Sequence, residues 1–200
     1  QYKRIIKDNG AIVLTSSEPF SSILRCSNLK MFKYDWVWNK KLAGNGILAK
    51  HQPLKIHELI SIFSVDKHNY YPIKTIGKLR KKMFSGIIQP ETLNKVSTCK
   101  ETFNNEYYPV SIQEFSMANR IGRLHPTQKP VALFEYLIKT YTNEGDTVLD
   151  NCAGSGTTAV AAINTKRNYI LIEKEKNYCD ISEKRITKAM LEKAKEMLSE

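Results

Sequence analysis

The residue types best suited to chemistry cluster late in the chain. Asp150 is followed by Gly154-Ser155-Gly156, then by Thr157-Thr158 and a run of alanine and valine. Thr147-Val148-Leu149-Asp150 reads as a strand, the residues through Ala159–Ile163 as a helix, and Tyr169–Glu173 as a second strand ending on an acid. Strand, glycine turn, helix and strand make a βαβ unit. Glycines let backbone come close to a ligand, and the helix start adds a positive end. Glu173, 19 residues after Gly154, falls at the neighbouring strand tip. A carboxylate there can accept both hydroxyls of a ribose. The chemistry on offer is the grip on a nucleoside-containing cofactor.

The spacing narrows the cofactor without settling it. A P-loop needs Lys and then Ser/Thr after its glycines, and Thr157-Thr158 come without a lysine, which weighs against ATP or GTP. Gly154-x-Gly156-x-x-Ala159 satisfies the dinucleotide pattern with alanine third, so NAD and an oxidoreductase stay open, as does a turn that holds no ligand. Upstream stands His125-Pro126-Thr127-Gln128-Lys129-Pro130, leading into the helix before the glycine strand. Lys129 at a helix start could meet a carboxylate, supported by the helix end. S-adenosylmethionine (SAM) has a ribose, an adenine and an amino-acid carboxylate, and a dinucleotide has no such end. The plain alternative for this stretch is a capped helix start.

Other elements must position these residues. Residues 11–15 read as a buried strand, and Ser16-Ser17-Glu18-Pro19 as a helix start with a capping serine, the helix running to about Asn28. Tyr34–Trp38 and Leu59–Phe63 are further strands. Tyr34, Trp36 and Trp38 alternate onto one face, for core packing or for stacking on a base. Phe134, Leu137, Ile138 and Tyr141 share a helix face, with Pro130 in the first turn. Tyr178–Leu198 is a long charged amphipathic helix. Residues 66–124 show no long helical period and read as an inserted module or a mobile lobe outside any regular sheet.

Composition bounds the partners. The net charge is +11, and residues 30–100 hold 14 Lys/Arg against 4 Asp/Glu. Such one-sided clustering is what phosphate neutralisation needs. Cysteines 26, 99, 152 and 179 form no CxxC pair and read as reduced thiols of a cytoplasmic protein. His57-Glu58 lacks the second histidine of a zinc-protease signature, since position 61 is Ser, and no metal is expected. No run approaches the ~20 apolar residues of a membrane span.

Together, "HPTQKPVALFEYLIKTYTNEGDTVLDNCAGSGTTAVAA" and "RNYILIEKEKNYCDISEKRI" resemble the C-terminal half of beta-class amino-group DNA methyltransferases, which methylate adenine N6 or cytosine N4. "NGAIVLTSSEPFSSIL", "FKYDWVWNK" and "KHQPLKIHELISIF" resemble that family's later catalytic-half strands, and roughly 67–122 match poorly. The resemblance implies an α/β, Rossmann-like SAM-dependent sheet with helices on both faces, in permuted order and incomplete at the N-terminus. It implies a catalytic-half remnant over 1–66, a target-recognition region over 67–124 and a SAM-binding half over 125–200. By position it puts Asp150, Ala153, Gly154 and Gly156 at the SAM methionine end, Glu173 on the ribose, and Thr127, Gln128, Lys129 and Pro130 along the methionine moiety. Thr157 and Thr158 would cap the helix.

The family's catalytic signature, Asp-Pro-Pro-aromatic, engages a flipped base. The chain has no Pro-Pro pair, so no catalytic residue is assigned and the motif is expected upstream of Gln1 or on a separate chain. A non-catalytic DNA-binding remnant or subunit is the further alternative. Double-stranded DNA is the expected partner, contacted by Lys40, Lys41 and Lys50 beside Gly44-Asn45-Gly46 and by Lys78, Arg80, Lys81 and Lys82. The implied activity is methyl transfer to a DNA base amine, adenine N6 foremost, in restriction-modification.

Overall fold

The computed structural model describes residues 1–87, 97–117 and 128–199, with side chains omitted at 82–87 and 97–101. It divides into two compact units: Gln1–Tyr71 with Ser111–Glu200, and Pro72–Val110. The second unit lies inside the span expected for the inserted region.

In the first unit, β1 (Ile12–Ser16), β2 (Phe32–Asn39), β3 (His57–Phe63) and β6 (Ile112–Glu114) form a four-stranded sheet in the order β1-β3-β2-β6. β3 runs antiparallel to both neighbours, and β6 lies parallel to β2. Alternation sorts its side chains to two faces. Trp36, Trp38, Ile60 and Ile62 face α3 (Val131–Tyr141), whose Leu133, Leu137 and Tyr141 complete a buried cluster. On the other face Ile12, Met31 and Phe63 pack with Leu24 of α2 (Phe20–Ser27), with Tyr2 of the short α1 (Tyr2–Ile5) and with Ile6 just after it. Trp36 and Trp38 are 4% and 0% exposed, so these two rings are core and are not presented to a base, while Tyr34 is half-buried against the same cluster.

β7 (Thr147–Asp150) and β8 (Asn168–Leu171) pair in parallel as a separate two-stranded sheet, joined through α4 (Thr157–Asn164). Val148 and Tyr169 pack on Ile138 of α3 and on Ala161 and Ala162 of α4. α3 thus touches both sheets, which is why a helix with Leu137 and Ile138 adjacent can be buried along two lines. α5 (Lys176–Ser199) runs back along α4 and buries Ser182 and Ala189.

Three expectations change. The 66–124 segment does contain sheet: β4 (Thr75–Ile87) and β5 (Ser97–Tyr107) pair antiparallel in the second unit, with a register shift between Ile76 and Arg80. Lysines and asparagines on exposed positions hid the alternation. α2 is not capped by Ser16 or Ser17; Pro19 stands at its N-cap, and Glu18 accepts from the Ser22 amide at 3.2 Å. Pro130 precedes α3 as its N-cap instead of entering its first turn.

Candidate functional site

The glycine turn follows β7, and its shape is fixed by Asp150. One carboxylate oxygen accepts from the Cys152 amide at 3.0 Å, and the other accepts a short hydrogen bond from the Thr158 hydroxyl. Thr158 therefore ties the helix start to the strand end and does not cap the helix. Thr157 does not cap it either, because its hydroxyl donates to the Lys129 carbonyl at 3.5 Å. Gly156 is the N-cap residue, at φ +74. A Cβ there would meet the Ser182 side chain at 2.7 Å, so the absent side chain makes room for α5. Gly154, also at positive φ, turns its amide toward the second strand.

That amide finds Glu173. Gly154 N donates to Glu173 Oε2 at 2.8 Å. Glu173 Oε1 accepts from the Lys174 and Glu175 amides at 2.9 and 3.0 Å. The two strand tips therefore converge, and Ala153 N closes the gap with a 3.2 Å bond to the Ile172 carbonyl. A carboxylate gathered by backbone donors is held in place with its oxygens turned to the strand tips, as an acceptor group.

The 128–130 segment borders the same turn. Ser155 Oγ donates to Gln128 Oε1 at 3.4 Å, and Pro130 is buried. Lys129 does meet a carboxylate, but a protein one: its Nζ lies 2.7 Å from Glu58 Oε2 on β3 and 5.5 Å from the centroid of Trp38. Glu58 also holds Lys40 at 3.3 Å. Burial pushes the Glu58 carboxyl up, and the two lysines more than reverse this, leaving it below its ordinary value. Thr127 lies outside the described residues.

Two groups escaped the sequence reading. Glu58 anchors Lys129, yet it read only as part of a failed metal motif. Arg185 of α5 donates to the Ser155 carbonyl at 2.6 Å and stands behind the turn with Ser182. Burial pulls its guanidinium below the ordinary value. Ser182, Arg185 and Ala189 fall at i, i+3 and i+7, the one signal of an inward face, drowned by the charges around it.

Among the basic residues, Lys40 is a correction. It is 8% exposed and paired to Glu58, so it offers nothing to a polyanion. Lys41 and Lys50 are exposed, Lys41 lying 3.0 Å from Glu114. Lys78, Arg80 and Lys81 are exposed on β4, while the Lys82 side chain lies outside the described ones. In this unit Arg80 sits 4.8 Å over the Tyr107 ring, and the Tyr107 hydroxyl donates to the Lys78 carbonyl at 2.6 Å.

The sequence model of the N6_N4_Mtase family, described as DNA methylase, matches residues 1–184. The chain belongs to this family. It is 44% identical over 197 residues to the type II methyltransferase M.HinfI of Haemophilus influenzae, covering 92% of this chain and 48% of that protein. It is 28% identical over 200 residues to the DNA adenine methyltransferase YhdJ of Escherichia coli, covering 97% of this chain and 66% of that protein. The chain therefore spans about half to two thirds of these relatives' length. Among solved structures, the M1.HpyAVI–SAM complex superposes with TM-score 0.63 at 25% identity, covering 92% of this chain and 78% of that one. The cytosine-N4-specific PvuII DNA methyltransferase shares the fold at TM-score 0.61 and 17% identity, covering 90% of this chain and 64% of that one. The fold is thus the Rossmann-like fold of SAM-dependent methyltransferases. Nothing in these likenesses points to an oxidoreductase.

Proposed function

We propose that this chain holds the SAM site and part of the DNA-contacting surface of an amino-group DNA methyltransferase, with adenine N6 as the favoured target, in restriction-modification. The reading is carried by one contact: Gly154 N to Glu173 Oε2 at 2.8 Å, which brings a bare turn and a carboxylate strand tip to one place. Glu173 would exchange backbone donors for ribose hydroxyls. Ala153, Gly154 and the Gln128–Pro130 segment would border the methionine end, with Thr127 beside them. Asp150 and Gly156 would act one step back, by holding the turn's shape. SAM would supply an electrophilic methyl group on its sulfonium; these residues bind and orient it.

The DNA reading rests on Lys78, Arg80, Lys81 and Lys82 in the hairpin and on Lys41 and Lys50. Exposed cations along a strand suit phosphate contact independent of sequence. The 200 residues lack Asp-Pro-Pro-aromatic, so the base-holding group is assigned to polypeptide outside them. A bare apolar strip supports this: Leu149 on β7, Ile170 on β8 and Ile172 just past β8 are 38%, 53% and 54% exposed. Parallel strands are ordinarily covered on both faces.

Calorimetric titration tests the reading. S-adenosylhomocysteine (SAH), the demethylated product, should bind and NAD should not. Binding of NAD alone would replace the methyl-donor reading with the oxidoreductase.

A further inference from the structure

We propose that Arg185 is a positioning residue that holds the walls around the methionine end of the cofactor, acting through Ser155 and Thr157. This inference rests on the SAM reading of the site. From α5, Arg185 Nη1 donates to the Ser155 carbonyl at 2.6 Å, to Ser155 Oγ at 2.9 Å and to Thr157 Oγ1 at 3.2 Å. Both hydroxyls pass the interaction on. Ser155 Oγ donates to Gln128 Oε1 at 3.4 Å, and Thr157 Oγ1 donates to the Lys129 carbonyl at 3.5 Å.

The direction of these bonds is consistent throughout. A guanidinium is donor-only, so each hydroxyl that accepts from it must turn its own proton elsewhere. Here both protons go to the 128–130 segment. One cation thereby fixes two hydroxyl rotors and links the glycine turn to the segment facing it. Ser155 and Thr157 are 3% and 6% exposed, so water cannot replace the bonds cheaply.

Arg185 makes no ion pair among the described residues; the oxygens named above are neutral. Its positive charge therefore stands without an ion-pair partner among the described residues, behind the turn that the SAM reading sets beside the amino-acid end of the cofactor. Glu173 is held differently, by the amides of Gly154, Lys174 and Glu175. Loss of Arg185 should fall on the amino-acid end of the ligand and largely spare the nucleoside end.

Two probes separate these ends. SAH carries the amino-acid group; 5′-methylthioadenosine keeps the nucleoside and sulfur and lacks it. In calorimetry on the full chain, Arg185→Met should weaken SAH by about tenfold or more, as lost hydrogen bonds to a charged group suggest. It should change methylthioadenosine by less than about threefold. If thermal melting shows that Arg185→Met does not fold, the double variant S155A/T157V, which keeps the arginine and removes both relay hydroxyls, should show the same selective loss. Equal losses for both probes would mean general scaffolding, and unchanged SAH binding would mean no role; either overturns the proposal. Failure of the unsubstituted chain to bind SAH would instead remove the SAM reading on which it stands.

Discussion

At the scale of single residues, the site depends on two positions that do different work. Glu173 is the proposed ribose acceptor, so Glu173→Ala should weaken SAH binding by at least ~1 kcal/mol, read by titration, because it removes hydrogen bonds to a charged group. Unchanged affinity would remove the ribose assignment. Gly156 carries shape. At φ +74, with Ser182 Oγ 2.7 Å and Ser182 Cβ 3.0 Å from a would-be Cβ, Gly156→Ala cannot be relieved by turning one rotamer. It should destabilise the chain by about 2 kcal/mol, from backbone strain at a left-handed position plus overpacking. Urea denaturation reads the loss.

At the scale of elements, the join between β3 and the start of α3 is an ion cluster, Lys40–Glu58–Lys129. Because the folded Glu58 carboxyl lies below its ordinary 4.5, the stability it contributes is present above that value and is lost as pH falls through the lowered one. Urea midpoints should therefore fall on acidification below about 4.5. Glu58→Gln, which leaves two lysines around a neutral group, should cost about 3 kcal/mol at pH 7 and flatten that acid limb. The hairpin makes a separate prediction. Replacing Lys78, Arg80 and Lys81 by alanine should reduce the slope of log affinity for duplex DNA against log salt by about 2–3, close to one per lost phosphate contact. An unchanged slope would move the DNA surface elsewhere.

At the scale of the whole molecule, a cofactor site without a base-holding motif should bind and not turn over. The 200-residue chain is expected to show less than ~10⁻³ methyl transfers per second on duplex DNA with radiolabelled SAM, far under ordinary enzyme rates. Addition of a chain carrying Asp-Pro-Pro-Tyr that co-purifies with it should restore transfer if the exposed Leu149, Ile170 and Ile172 strip is where the rest of the catalytic half packs. Turnover by the chain alone would refute this division of labour.

The order of elements was written in local pattern. Short apolar runs mark β1 and β3, strand-forming residues mark β2, the i, i+3, i+4, i+7 apolar face marks α3, and strand–glycine–helix–strand marks the βαβ unit, because each depends only on neighbours along the chain. The hairpin of β4 and β5 was illegible, since its exposed strands carry polar side chains on positions that alternation usually leaves apolar. Partners were also beyond local pattern. That Lys129 and Lys40 share Glu58, that Gly156 yields its space to Ser182, and that Arg185 grips Ser155 are contacts between segments far apart in sequence. Residue types fix what a side chain can donate or accept; only the folded chain decides which group stands within 3 Å of it.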